Sequence, residues 1–190
     1  MKKMAKHLTL IVTVVMMFLS LSMTAQAEKD QDRSEVQAYA SYYSEKLEAK
    51  YPQATHAMVD LNGDNILEYL LLVPSGARSR IILYTYSAKK VKLVKNFGAS
   101  TNLEGYNPKT GKFVISTADG YANTTYTVYT LKGKTLKKQY YYKSKFNYKT
   151  NTVKYYKNTK QITEKSFVKA ITNFGNWSHP KWEAQPVSQQ

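Results

Sequence analysis

Asp60, Asn62, Asp64 and Glu68 stand at positions 1, 3, 5 and 9 of the segment "DLNGDNILE", between two apolar runs. Oxygen-bearing side chains at this spacing suit a hard divalent cation, because calcium gathers about six to eight oxygens at roughly 2.3–2.6 Å. In a tight loop the side chains at alternate positions turn inward, and the backbone carbonyl of Ile66, at position 7, can join them. Glu68 can add a carboxylate directly or through water, and Gly63 gives the turn its freedom. The competing arrangement is a metal-free loop in which Asp60 and Asn62 bond nearby backbone N–H groups as Asx turns. Three carboxylates converging without a cation would repel one another, so the spacing favours a structural calcium ion. Its expected ligands are Asp60, Asn62, Asp64, Ile66 and Glu68, with a dissociation constant on the order of 10⁻⁴–10⁻³ M.

The segment resembles the first half of an EF-hand loop, D-x-[DN]-x-D-G. It departs from that pattern at Asn65, where the loop carries glycine, and at Leu71, where it carries a bidentate glutamate. Asparagine tolerates left-handed geometry better than most residues, so the first change is mild. The flanks read as strands, not helices. The segment is more similar to the D-x-D-x-D-G-x-x-D calcium loops of integrin-type β-propellers. It is also similar to a D-x-[DN]-G-D-G-x-x-E element of secreted Gram-positive-type domains of unassigned function. The likeness spans about fifteen residues. It implies calcium and an extracellular setting, and neither a propeller nor an activity.

A second constellation lies in "KKQYYYKSKFNYKTNTVKYYK", Lys137 to Lys157, where tyrosines and lysines interleave. Aromatic faces stack on sugar rings or bases while ammonium groups neutralise phosphates. The expected polyanion-binding residues are Lys143, Lys145, Lys154 and Lys157, with Tyr155 and Tyr156 as stacking groups. The plainer explanation is a sheet with one packed tyrosine face and solvated lysines that discourage edge-to-edge pairing. An anionic cell-wall or surface polymer, or a protein partner, suits this surface better than nucleic acid, for which no module signature is present.

Catalytic constellations do not assemble. Beyond residue 27 the only histidines are His56 and His179, and the chain has no cysteine. There is no Gly-x-Ser-x-Gly elbow, phosphate loop or His-Glu-x-x-His. No catalytic residue is assigned, and the expected function is non-catalytic binding. Two other functions stay open. One is a metal-dependent hydrolase of phosphate-containing polymers using Asp60, Asp64 and Glu68. The other is a secreted inhibitor or immunity protein whose partner reads the tyrosine–lysine sheet.

The N-terminus supplies the setting. "MKKMAKH", the apolar "LTLIVTVVMMFLSLSM" and the small-residue end "TAQA" form the layout of a secretory signal peptide, residues 1–27, cleaved after Ala27. No second hydrophobic span follows, so no integral membrane segment is expected after cleavage. Export without cysteines suits a bacterial, Gram-positive-type surface. The whole chain of 190 residues carries a formal net charge of +15. By residue counting, residues 28–70 carry about −5 and residues 71–190 about +17. The basic portion would meet an anionic surface, or would serve solubility alone.

These residues need a scaffold. Val36, Tyr39, Ala40, Tyr43 and Leu47 recur at helical spacing after Ser34, and Pro52 ends the run. "THAMV", "ILEYLLLV", "RIILYTYS", "KVKLVKNF", "KFVISTA", "TTYTVYTL", "TLKKQYYYK" and "NTVKYY" then read as strands, joined by turns such as Asp119-Gly120 and Lys132-Gly133. "ITEKSFVKAITNF" closes with a helix capped at Thr163, its core face carrying Phe167, Ile171 and Phe174. The expected fold is α+β: an N-terminal helix, an antiparallel β-meander of about seven to eight strands, and a short C-terminal helix. Residues 28–176 form one domain and residues 177–190 a flexible tail.

Overall fold

The structure, a computed structural model, describes residues 34–75, 78–120 and 123–184. The expected signal peptide, 1–27, and residues 185–190 of the expected tail lie outside the described residues.

Helix α1, Ser34–Tyr42, runs into a π-helical turn, Tyr43–Leu47, in which the Glu48 N–H donates to the Tyr43 carbonyl at 2.9 Å. Tyr39, Tyr43 and Leu47, four residues apart, are the buried stripe that the spacing predicts. The strands follow as β1 Thr55–Val59, β2 Glu68–Ser75, β3 Arg78–Ser87, β4 Lys90–Ala99, β5 Thr101–Asn107 and β6 Lys112–Ala118. Then come β7 Thr124–Lys132, β8 Thr135–Asn147, β9 Thr152–Lys157 and β10 Lys160–Ile162. Helix α2, Glu164–Gly175, starts at Thr163, whose hydroxyl accepts the Ser166 N–H as a cap. The two-residue strand β11, Glu183–Ala184, comes last.

Among the described residues all strand pairs are antiparallel, but they form two sheets: β11-β1-β2-β3-β4 and β10-β9-β8-β7-β6-β5. The α+β class therefore stands, while the single meander of seven to eight strands is corrected. Three strands, β5, β10 and β11, escape the sequence pattern, and the chain changes sheet at Ser100, a non-glycine residue with φ 61°.

Alternation along the strands builds a helix–sheet–sheet–helix stack. In β2 and β3, Tyr69, Leu71, Ile82 and Tyr84 face α1, whereas Leu70, Ile81 and Leu83 face the second sheet. From the second sheet Phe113, Ile115 and Leu131 meet them, and Val114 and Val128 turn outward to Phe174 of α2. Each such side chain contributes about 1.5–3 kcal/mol when fully buried, so this inner layer holds the sheets together without disulfide help.

The start of the expected flexible tail is built into the fold. Ser178 exchanges backbone bonds of 2.9 and 3.0 Å with Tyr106, Trp182 packs against the inter-sheet cluster, and Glu183 and Ala184 pair with His56 and Thr55. The closing helix is thus not the last element. Packing of the half-buried Trp182 against that cluster helps hold the returning chain. No helix among the described residues is long and apolar enough to cross a membrane.

Candidate functional site

The acidic segment connects β1 to β2 and is tied by its own side chains. Asp60 accepts the Gly63 N–H at 2.7 Å on one carboxylate oxygen and the Asn65 N–H at 3.0 Å on the other. The Asn62 side-chain oxygen accepts the Asp64 N–H at 2.8 Å, and Asp64 accepts the Ile66 N–H at 3.0 Å. These are the Asx turns that the metal-free arrangement describes. Gly63 and Asn65 both have positive φ, 76° and 69°, so asparagine does adopt the left-handed backbone at the glycine position. Gly63 also touches the β5–β6 turn. A Cβ there would overlap the Pro108 carbonyl oxygen, and one at Gly111 would come within 3.1 Å of the Asn62 oxygen. The loop is therefore a clasp between the two sheets.

Glu68 lies beneath the loop with no exposed surface. One of its oxygens accepts the Leu61 N–H at 3.0 Å, and the other accepts the Thr85 hydroxyl at 3.2 Å and the Asn62 amide at 3.4 Å. Burial pushes its carboxyl up to about 8, and the charges of Asp64 and Asp60 add to the rise. Among the described residues, no group of three or more His, Cys, Asp or Glu side chains is placed to hold a metal ion.

The tyrosine–lysine residues separate into two sets. Cross-strand partners share a face of the sheet. Tyr142 pairs with Lys157 and Ser144 with Tyr155, on the side covered by α2. There the Tyr155 ring lies 4.8 Å from that of Phe167, its hydroxyl donates to Glu164 at 3.2 Å, and the Lys157 ammonium sits 5.5 Å from the Tyr140 ring centroid. The opposite side carries Lys143 paired with Tyr156, and Lys145 paired with Lys154. That side looks toward the first sheet, yet none of the inter-sheet core residues comes from β9 or β10. The far strands overhang, and their inner face is open.

Lys145 and Lys154 are both exposed, stand directly opposite each other and make no ion pair among the described residues. Like charges in this position destabilise a sheet. At the β8–β9 turn they border a cleft of about 470 Å³ that also takes in Tyr148, Lys149 and Tyr156. Tyr148 is 73 % exposed, its ring 4.8 Å from Phe146. Tyr148 and Lys149 were not among the expected site residues. Their signal was available, since an aromatic ring and a lysine in a hairpin turn have no sheet face to fill.

No protein family, no curated protein and no solved structure matches this chain.

Proposed function

We propose that the chain is an exported, non-catalytic binding module whose working surface is the open face of β8 and β9, and whose partner is an anionic polymer of the cell surface. The observation that carries this reading is the opposed, uncompensated pair Lys145 and Lys154, flanked by Lys143 and Tyr156. Solubility needs lysines on the protein, but not lysines facing each other across a ladder, where each raises the energy of the other. A polyanion laid along the strands would offset that repulsion and release its own counterions. Lys157 and Tyr155 belong to the α2-covered face and drop out of the contact set. The test is binding to a purified polyglycerol-phosphate polymer at several salt concentrations. The triple variant Lys143→Gln, Lys145→Gln, Lys154→Gln should bind more weakly with a flatter salt dependence, and Lys157→Gln should behave as wild type. Equal binding by wild type and triple variant would discard the surface.

The acidic loop has a supporting role in this proposal, as a calcium staple that holds the clasp between the sheets. Asp60, Asn62, Asp64, the Ile66 carbonyl and Glu68 would hold the ion. The support is chemical: each Asp60 oxygen and the Glu68 oxygen facing Leu61 keep a second lone pair beyond the N–H they accept. The buried Glu68, moreover, has only neutral donors around it. Because the described side chains are not gathered as a metal site, ion binding would draw Asp64 and Glu68 inward from the positions described above.

A further inference from the structure

Beside the base of the acidic loop the returning C-terminal segment lies along β1 and leaves a cleft of about 460 Å³, within the usual size of small-molecule sites. Val36, Met58 and Leu67 give it an apolar lining, and Lys181 and Glu183 bring one charge of each sign. His56 also lines it. That residue is only 8 % exposed, and its Nδ1 is buried with no hydrogen-bond partner. Its Nε2 lies 3.9 Å from a Glu183 carboxylate oxygen, beyond hydrogen-bond reach, and its ring stacks on Tyr69 at 5.6 Å. Nδ1 is sealed from solvent, so the ring meets the cleft with its remaining surface.

We propose that this cleft binds a small zwitterion with an apolar body, of the amino-acid or dipeptide class. Lys181 takes the carboxylate and Glu183 the ammonium group. These two residues, separated by Trp182, both line the cleft. The apolar lining receives the ligand's side chain, and the accessible part of the His56 ring borders it. Burial lowers the His56 pKa, which keeps the imidazole neutral, so it does not compete with Lys181 for the carboxylate. His179, the other imidazole of the cleft, already lies 3.2 Å from the Gly175 carbonyl and is not needed for the contact. The site is independent of the β8–β9 surface, which lies toward the other edge of the second sheet.

Four probes dissect the proposal by thermal melting of the purified chain: leucine, leucine amide, 4-methylpentanoate and glycine. Leucine should raise the melting temperature by about 3–6 °C at ten times its dissociation constant. Leucine amide lacks the carboxylate and 4-methylpentanoate the ammonium group, and each should give less than about a third of that shift on loss of one charge contact. Glycine, with no apolar body, should give none. Lys181→Gln should erase the advantage of leucine over leucine amide, and Glu183→Gln its advantage over 4-methylpentanoate. Both residues are exposed, so neither change threatens folding. In NMR, leucine should move the ring signals of His56. No shift with leucine, equal shifts with its analogues, or variants that respond as wild type would overturn the proposal and leave the cleft to water.

Discussion

Gly63 lies against the Pro108 carbonyl so closely that no side chain fits between them. One residue belongs to the acidic loop of the first sheet and the other to the β5–β6 turn of the second, so the contact registers the two sheets at that end. Gly63→Ala should destabilise the fold by about 2–4 kcal/mol, combining backbone strain at positive φ with the overlap. Gly120 has almost the same φ, 75° against 76°, and nothing within 4 Å of where its Cβ would be. Gly120→Ala should therefore cost only about 1 kcal/mol, the strain alone. Denaturant unfolding of both variants isolates the contact, and equal losses would show that the clasp contributes nothing.

Glu68 predicts an unusual pH dependence. Its ordinary value of 4.5 rises to about 8 in the fold, so the folded protein prefers the protonated carboxyl. The contribution is fully present below about pH 4.5 and is lost as pH rises through 8, because ionisation there places a charge in the inter-sheet layer. In chelator, stability should fall over that window by a few kcal/mol, on the order of 1.4 kcal/mol per pKa unit before relaxation. Glu68→Gln should flatten the profile. A wild-type profile flat between pH 5 and 8 would mean that the carboxyl finds better compensation than its neutral donors supply.

The calcium proposed for the loop would act on the same group in the opposite sense. If the ion binds with a dissociation constant of about 0.1 mM, then 1 mM calcium adds roughly 1.4 kcal/mol and raises the melting temperature by a few degrees. The gain should be larger at pH 8 than at pH 5, since a protonated Glu68 is a poor ligand. Asp60→Ala and Asp64→Ala should remove it. Identical melting in calcium and in chelator at pH 8 would end the staple. Cleavage of a phosphate polymer that depends on metal and on Asp64 would instead favour the hydrolase.

The two adjacent tyrosines of β9 should behave differently. Tyr155→Ser loses the contact with Phe167 and the bond to Glu164, so it should cost about 1–3 kcal/mol of stability and leave polymer affinity unchanged in the folded fraction. Tyr156→Ser should barely change stability but weaken binding, if its ring stacks on the polymer, by about 1 kcal/mol or more. Measuring melting and affinity on the same preparations checks both. The reverse pattern would place the contact surface on the α2 side.

What the sequence made legible follows from local physics. Strands such as β6 and β7 are dense in β-branched and aromatic residues and read directly, as do the α1 stripe and the Thr163 cap. Strand β5, "TNLEGYN", has weak strand formers and is held by pairing with β6. Its Gly105 is needed because a Cβ would come within 2.9 Å of the Phe174 carbonyl of α2. Nothing local announces that contact. Lys154, Tyr155, Tyr156 and Lys157 are consecutive strand residues and so point alternately to opposite faces, a signal the sequence itself carries. The change of sheet at Ser100 rests on packing between distant segments, which no window of sequence contains.

The short strand β11 covers the start of the β1 edge, at Thr55 and His56, with residues that lie well over a hundred positions further along the chain. Until that end arrives, β1 presents free backbone donors and acceptors on its outer side, a template for pairing with another molecule. Pairings so distant in sequence form late, because the loop entropy must be overcome before they return any energy. In a chain made from its N-terminus, the first sheet would wait with one side open until Trp182 emerged. Protection from aggregation is then a matter of timing as much as of structure, and a chain stopped short of Trp182 would keep that sticky margin for its whole life.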